Sequence, residues 1–300
     1  MKRQVPTLLV VGALTFSACS VADPAQPSTT TPTTTAAAVS TTTTAPTTTA
    51  QQAVATAATT TTEPAAVEVA SCPTAGEPLE TAKLYIEHNA TDADTGVHGL
   101  IAGVARSEMC IWDPNGTQIL MVDAQGQLND LAIADLFFES REPPNDEYSL
   151  DTLRAEFPEG DYTVSGTDFE GIPRIGIARF THDIPAEPTI TAPELGEDEE
   201  AASEVIVSTG GLVISWEPVA LTVAGEPLIV TGYEVILTKV DHDDVKGFSR
   251  PIYDVHVGPT ATSLAVPDEF VEPATVYELE VLVLEASGNQ TISLGFFTTA

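Results

Sequence analysis

The sequence has few basic residues: 11 Lys and Arg stand against 44 Asp and Glu, which gives a formal net charge of -33. No Lys or Arg occurs between Arg3 and Lys83. Because contacts to nucleic acids depend on basic side chains that neutralise phosphates, this charge excludes DNA and RNA as partners. The same charge disfavours direct contact with anionic lipid surfaces, and it favours solubility and the attraction of cations.

Local catalytic motifs are also missing from the sequence. It contains no G-x-S-x-G, H-E-x-x-H or C-x-x-C pattern and no Gly-rich phosphate loop. We therefore predict no catalytic residues, no organic cofactor and no enzymatic activity.

The sequence has no apolar run long enough to remain as a membrane-spanning helix. Two basic residues precede the run Val5–Ala18, which has the length of a signal-peptide core and predicts a signal peptide over residues 1–18. Ser17 and Ala18 before Cys19 resemble a bacterial lipobox, with Phe16 in place of the usual Leu. This resemblance implies that Cys19 is lipidated and anchors the protein at the extracellular face of the cell membrane. Ordinary cleavage near Ala18, which would leave Cys19 free, remains the alternative.

There are only three cysteines. If Cys19 carries lipid, Cys72 and Cys110 remain as an even pair in an oxidising compartment, which favours a disulfide. That bond would close a loop of about 40 residues and stabilise the fold by about 4 kcal/mol. Two unpaired thiols remain the alternative.

Residues 19–70 consist mostly of Thr, Ala and Pro. With so few large apolar side chains, this segment cannot offset the entropy lost on folding, and we predict a disordered linker. As a flexible coil it would span about 40 Å. Its Thr-Pro tracts are also candidates for O-glycosylation.

Residues 71–183 contain short segments with strand-like alternation, separated by turn residues. Asp113-Pro-Asn-Gly116 suits a type I turn, which predicts a hairpin of Glu108–Trp112 with Thr117–Asp123. Leu131–Ser140 fits either a strand or a helix, and the aromatic pair Phe137 and Phe138 favours a strand. We also predict a helix from Ser149 to Phe157, ended by Pro158. This pattern predicts a β-sandwich, although it matches no particular family.

Residues 184–300 show the same alternation more clearly. Leu212, Ile214 and Trp216 fall on one side of a predicted strand. The same spacing occurs at Tyr233, Val235 and Leu237, and again at Tyr277, Leu279, Val281 and Val283. The fold class predicted for the whole chain is therefore all-β, with two β-sandwich domains after the linker.

The second domain resembles fibronectin type III domains. The resemblance rests on Trp216, the "GYEV" strand, the phrase Val271–Tyr277 and the terminal "GNQTISLGFFTT". It implies that Trp216 is a core residue and that Tyr277 forms a tyrosine corner, with its hydroxyl bonded to the chain just upstream. Ala274 departs from the family, which usually has Gly there, so the turn before Tyr277 is expected to be altered.

The strongest candidate for a metal site is the segment Glu87–Gly96. Asp92, Asp94 and Gly96 have the D-x-D-x-G spacing of calcium loops, and Glu87 or Asn89 would have to complete the ligand set. A polar loop without an ion is the simpler interpretation. His88 and His98 suggest a zinc site only weakly, and Trp112 is either a core residue or a platform for a sugar ring.

These features predict a non-catalytic surface lipoprotein. Its sandwiches would bind an extracellular protein or glycan, or serve as a spacer. The alternative is a small extracellular hydrolase that acts on polysaccharide, with the fibronectin-like domain as an accessory.

Overall fold

The computed structural model describes residues 72–240 and 252–300. The predicted signal peptide, Cys19 and the whole linker lie outside these residues, as does the acidic segment 241–244. The fold is all-β, as predicted. The strands are β1 (Glu77–Pro78), β2 (Thr81–Asn89), β3 (Asp94–Ala102), β4 (Glu108–Trp112), β5 (Gln118–Asp123), β6 (Leu136–Glu139), β7 (Gly160–Thr167), β8 (Pro173–Phe180), β9 (Ile190–Ala192), β10 (Ile206–Val207), β11 (Val213–Trp216), β12 (Val230–Lys239), β13 (Ile252–Val257), β14 (Ser263–Ala265), β15 (Val276–Glu285) and β16 (Gln290–Thr299). The helices are α1 (Gln127–Leu131), α2 (Leu150–Glu156) and α3 (Glu199–Ala202).

The described chain forms two β-sandwiches with the same strand order. If the two-residue strands β1 and β10 are set aside, each sandwich has seven strands. In the first, β2-β3-β6 faces β8-β7-β4-β5; in the second, β14-β11-β9 faces β13-β12-β15-β16. Counted along each sandwich, the first, second and fifth strands form one sheet and the other four form the second. The first sandwich, which the sequence assigned to no family, therefore repeats the topology of the second.

Each sandwich has its own apolar core between its two sheets. In the second, Trp216 is 3% exposed and Tyr277 is completely buried, and both belong to this core. In the first, Leu84 and Ile86 of β2 pack against residues of β4, β7 and β8. Core members recur at every second position of a strand, as the pleat dictates: Leu84 and Ile86 in β2, and Tyr233, Val235 and Leu237 in β12.

A tyrosine corner occurs in both sandwiches. The Tyr277 hydroxyl donates to the carbonyl of Phe270 (3.1 Å) and accepts from the backbone N–H of Glu272 (2.8 Å). Ala274 has φ +51°, a left-handed conformation that explains why glycine is the usual residue at this turn. In the first sandwich, the Tyr162 hydroxyl donates to the carbonyl of Pro158 (3.1 Å) at the start of the equivalent strand, β7.

The local predictions for the first sandwich are mostly matched by the structure. Cys72 and Cys110 form the predicted disulfide, with a Cα–Cα distance of 6.1 Å. The hairpin β4–β5 turns at Asp113, whose carbonyl accepts from the Gly116 N–H (3.0 Å). Ser149 caps α2 by accepting from the Thr152 N–H (3.2 Å).

The strand predicted within residues 131–140 is much shorter in the structure. Leu131 ends α1, Ala132 has φ +60°, and β6 begins only at Leu136. Ile133 instead forms an isolated two-way backbone bridge with the buried Arg106. The Arg106 guanidinium donates to the carbonyls of Val104 (2.6 Å) and Ala134 (2.8 Å). These contacts keep residues 131–135 out of the sheet, so pairing with β3 begins only at Leu136.

One sheet runs through both sandwiches. Strand β16 of the second pairs in parallel with β2 of the first, with Gln290, Thr291 and Ile292 opposite Glu87, His88 and Asn89. The continuous order is β13-β12-β15-β16-β2-β3-β6. Both cores lie on one side of this sheet, and we call its opposite side the outer face.

A buried asparagine reinforces the junction between the sandwiches. Asn289 is 1% exposed, and its carbonyl oxygen Oδ1 accepts from the Ile86 N–H (2.8 Å). Its amide nitrogen Nδ2 donates to the carbonyl and hydroxyl oxygens of Thr181, both at 3.1 Å. One side chain at the start of β16 therefore connects this strand with β2 and with the end of β8.

Candidate functional site: an ionisable cluster on the outer face

The outer face of the continuous sheet collects ionisable side chains from strands that are far apart in sequence. Register places Glu234, Leu282, Ile292 and Asn89 in one row across four strands. Side chains two positions away along a strand share the same face, so Glu87 lies on this face as well. The outer face also carries Glu280 and His98.

Three residues of the first sandwich form a compact group, which we call the Glu-His-Glu cluster: Glu87, His98 and Glu142. Glu87 lies on β2, His98 lies on β3, and Glu142 follows β6. The pairing of Glu87 with Gly96 and of Tyr85 with His98 makes Glu87 and His98 diagonal neighbours on one face. A Cβ atom at Gly96 would lie 2.7 Å from Cγ of Glu142, so the missing side chain makes room for Glu142.

Both ring nitrogens of His98 face carboxylates. Nε2 lies 2.9 Å from Oε1 of Glu142, and Nδ1 lies 3.6 Å from Oε2 of Glu87. The side chains of His98, Glu87 and Glu142 are 4%, 15% and 11% exposed. The group is therefore shielded from bulk water. In this shielded position, charge–charge interactions are stronger than at an open surface.

The charges in the cluster depend on one another. Burial alone would lower the pKa of His98, but the hydrogen bond to Glu142 and the charge of Glu87 raise it above its ordinary value. Burial raises the pKa of Glu87, and the positive charge on His98 opposes this effect. An imidazolium between two carboxylates leaves one net negative charge.

Aromatic rings border the cluster. The Tyr85 and His98 rings meet edge to face, with centroids 5.4 Å apart, and Phe137 meets His98 in the same way at 5.9 Å. These rings restrict the orientation of the imidazole. Gln290 of β16 donates through Nε2 to Oε2 of Glu87, which brings the cluster into contact with the junction between the sandwiches.

Of the two residues predicted to bind calcium, Asp92 lies in the turn between β2 and β3, and Asp94 begins β3. Oδ2 of Asp92 accepts from Nδ2 of Asn89 (3.0 Å). Burial, followed by the charges of Glu142, Asp92 and Glu87, raises the pKa of Asp94 to about 6. Among the described residues, the groups of three potential metal ligands include neither Asp92 nor Asp94. The calcium site stays a prediction.

The two histidines considered as zinc ligands do not come together. His98 pairs with Tyr85, so it lies on the outer face, whereas His88 is an odd number of residues from Tyr85 and points to the other face. Nδ1 of His88 instead contacts the hydroxyl of Thr95 (2.9 Å). The partners that His98 does have, Glu87 and Glu142, were missed as a set because Glu142 is 44 residues away along the chain. The available signal was the strand predicted within residues 131–140. In the structure this strand, β6, places Glu139 opposite His98 and ends three residues before Glu142.

A second ionisable group lies on the same face of β12 and β13. His256 is paired with Glu234, and its Nε2 lies 3.3 Å from Oε1 of that residue. Burial and then the neighbouring Asp254 raise the pKa of Glu234 to about 8. Asp254 and His256 are both exposed, unlike the members of the Glu-His-Glu cluster. Trp112, the candidate sugar platform, is partly buried on β4, and its role stays a prediction.

Within residues 72–240 and 252–300, no helix is both long and apolar enough to cross a lipid bilayer.

Known proteins similar to this chain are found among solved structures. Neither a family model nor a curated protein matches the sequence. Solved structures do match. A segment of two fibronectin type III domains from chicken tenascin is 10% identical, with 73% of this chain and 99% of that chain covered and a TM-score of 0.27. The FN1–FN3 domains of chicken CNTN1 are 11% identical, with 75% and 68% covered and a TM-score of 0.27. A bacterial ice-binding adhesin is 17% identical, with 73% and 64% covered and a TM-score of 0.23.

Proposed function

We propose that this chain is a non-catalytic, exported lipoprotein that presents two rigidly joined β-sandwiches at the outside of a bacterial cell. In this proposal Cys19 carries the lipid, and residues 19–70 form the flexible connection to the membrane. The sandwiches bind an extracellular protein or glycan, or hold such a binding surface at a distance.

The observation that carries the proposal is the continuous sheet. Pairing of β16 with β2, together with the buried Asn289, resists rotation of one sandwich against the other. A fixed orientation suits a module that presents a surface. The disulfide between Cys72 and Cys110 supports export, because such bonds persist mainly in oxidising compartments.

The alternative activity, hydrolysis of polysaccharide, has less support. Such enzymes use two carboxyl groups about 5 to 10 Å apart in a cleft that admits the substrate. Glu87 and Glu142 do lie close together, but both contact His98 and are mostly shielded from solvent. Two surface cavities of about 510 and 490 Å³ are lined by other residues.

Lipid anchoring is tested with the full chain and with Cys19→Ser, both expressed in a bacterium that processes lipoproteins. We expect the chain that retains Cys19 to gain the mass of a diacylglyceryl group and to enter the detergent phase. The Cys19→Ser variant should stay in the aqueous phase. If both chains stay in the aqueous phase, the anchor is wrong.

Binding is tested separately, with the soluble Cys19→Ser chain on arrays of extracellular proteins and glycans. Saturable binding to either class supports a binding module. A complete lack of binding leaves the spacer function. Release of reducing sugar from a polysaccharide, abolished by Glu142→Gln, would overturn the non-catalytic assignment.

A further inference from the structure

We propose that the Glu-His-Glu cluster is a binding site for a divalent zinc ion, held by Glu87, His98 and Glu142. This inference does not depend on the lipid anchor or on the binding function proposed above. It rests on the ligand types, their distances, their burial and their charge.

The ligand types favour zinc over calcium. An imidazole nitrogen with carboxylate oxygens is a common ligand set for zinc, whereas calcium takes six to eight oxygen ligands. One ligand atom from each of the three residues lies within 4.8 Å of the other two. Zinc with bonds of about 2 Å needs ligand atoms about 3.3 Å apart. His98 offers one nitrogen to the ion. At Nε2, zinc would replace the contact with Glu142, and the carboxylate of Glu87, which faces Nδ1, would rotate to the same side.

The surroundings also suit a cation. No Lys or Arg of the described residues forms a salt bridge with Glu87 or Glu142, so His98 is the only cationic partner found for them. One carboxylate oxygen of Asp94, Oδ1, is buried and has no hydrogen-bond partner among the described residues. Asp94 lies on the outer face two positions from Gly96, so a further acidic side chain stands beside the cluster.

Neighbouring groups support the three ligands from different directions. Gln290 donates to Glu87, the Tyr85 and Phe137 rings border His98, and the glycine at position 96 leaves the space that Glu142 fills. Support of this kind, in which neighbouring groups orient the ligands, is typical of metal sites. A bound ion would connect β2, β3 and the segment after β6, beside the junction with β16.

The test uses the full chain with Cys19→Ser, because a free thiol at that position would itself bind zinc. Isothermal titration with zinc chloride is expected to give one saturable site. Glu142→Gln keeps the shape of the side chain and is expected to weaken zinc binding at least tenfold, since loss of even a group that supports a ligand typically weakens metal sites 10- to 100-fold. Thermal unfolding of the parent chain should shift upward by several degrees with saturating zinc, and the shift should vanish in Glu142→Gln.

Matched controls separate this site from the rest of the acidic surface. Glu147→Gln removes an exposed carboxylate five residues away, and His256→Gln removes the histidine of the second ionisable group. Both variants should bind zinc as the parent does. His98→Gln should lose binding, and its unfolding temperature without metal checks that it folds. If it does not fold, Glu142→Gln still decides the question.

Two results would overturn the inference. One is the absence of zinc binding, or zinc binding that Glu142→Gln leaves intact. The other is a site that binds calcium but not zinc and is lost in Asp92→Asn. That result would assign metal binding to the predicted calcium loop instead.

Discussion

Replacement of Asn289 by alanine tests whether the two sandwiches behave as one unit. The Asn289 amide satisfies the Ile86 N–H (2.8 Å) and the Thr181 carbonyl (3.1 Å), and it is 1% exposed. Asn289→Ala leaves both backbone groups without this partner at the junction. Nearby, the β2–β16 pairing is continued by the Ala90 N–H, which donates to the Ile292 carbonyl (2.9 Å).

The expected loss follows from these two groups. A buried polar group that loses its partner costs about 1–3 kcal/mol, so two such groups cost about 2–6 kcal/mol. A water molecule can enter the space of the lost amide and recover part of this energy. We therefore expect the free energy of unfolding to fall by about 2–4 kcal/mol, which is large for a single substitution.

Urea unfolding provides the measurement, because each sandwich contains one of the two tryptophans. In a Trp112→Phe background, the fluorescence of Trp216 reports on the second sandwich, while far-UV circular dichroism reports on both. The two transitions should coincide in the parent chain and separate in Asn289→Ala.

Asn129→Ala serves as the control, since Asn129 is exposed on α1, and it should change stability by less than about 0.5 kcal/mol. A loss below 1 kcal/mol in Asn289→Ala, with coincident transitions, would refute the coupling through this side chain.

Burial, followed by the charge of Glu278, raises the pKa of Glu280 from 4.5 to about 8. The folded state therefore keeps a proton that the unfolded chain releases, so stability falls as pH rises from about 4.5 to 8. Glu280→Gln should match the parent at pH 4.5 and exceed it at pH 8.5 by at least about 1 kcal/mol, with about 5 kcal/mol as the upper limit at about 1.4 kcal/mol per tenfold change in proton affinity. Ala274→Gly should stabilise the fold by about 1 kcal/mol in urea unfolding, because Ala274 has φ +51°. Joint replacement of Cys72 and Cys110 by alanine should lower stability by about 4 kcal/mol, given their separation of 38 residues.

Each of these predictions has a contrary outcome. A pH-independent difference between Glu280→Gln and the parent would mean that Glu280 is ionised in the folded state at neutral pH. Destabilisation by Ala274→Gly would mean that the turn before Tyr277 is not strained. For the cysteine pair, a loss below 1 kcal/mol would mean that the closed loop does not restrict the unfolded chain as the entropy model requires.

The faces of individual strands were predictable from the sequence. Alternation placed Leu212, Ile214 and Trp216 together, and all three are at most 5% exposed. The turn at Asp113 and the cap at Ser149 were equally local, since the residues that form them are within four positions of each other. Within residues 131–140, the strand forms at Leu136–Glu139 but not before it, because Ile133 pairs with Arg106, which lies 27 residues away.

The candidate site was only partly accessible to sequence reasoning. The spacing of Asp92, Asp94 and Gly96 predicts a calcium loop within Glu87–Gly96, and His88 and His98 suggest a zinc site. Glu142 could not be included, because its approach depends on the turn after β6 and on the space above Gly96. Spacing motifs describe ligands on one loop, whereas this cluster draws its members from two strands and a third segment.

The all-β class and the apolar faces of the longer strands were predictable from residues close together in the chain, because side-chain alternation is a local pattern. The tyrosine corner at Tyr277 was predictable from the resemblance to fibronectin type III domains. The pairing of β16 with β2, and the contacts of Asn289 at their junction, became visible in the folded chain alone. Backbone pairing between distant segments uses groups that every residue has, so it leaves little trace in the side-chain pattern. The same long-range pairing brings Glu87, His98 and Glu142 together on one face.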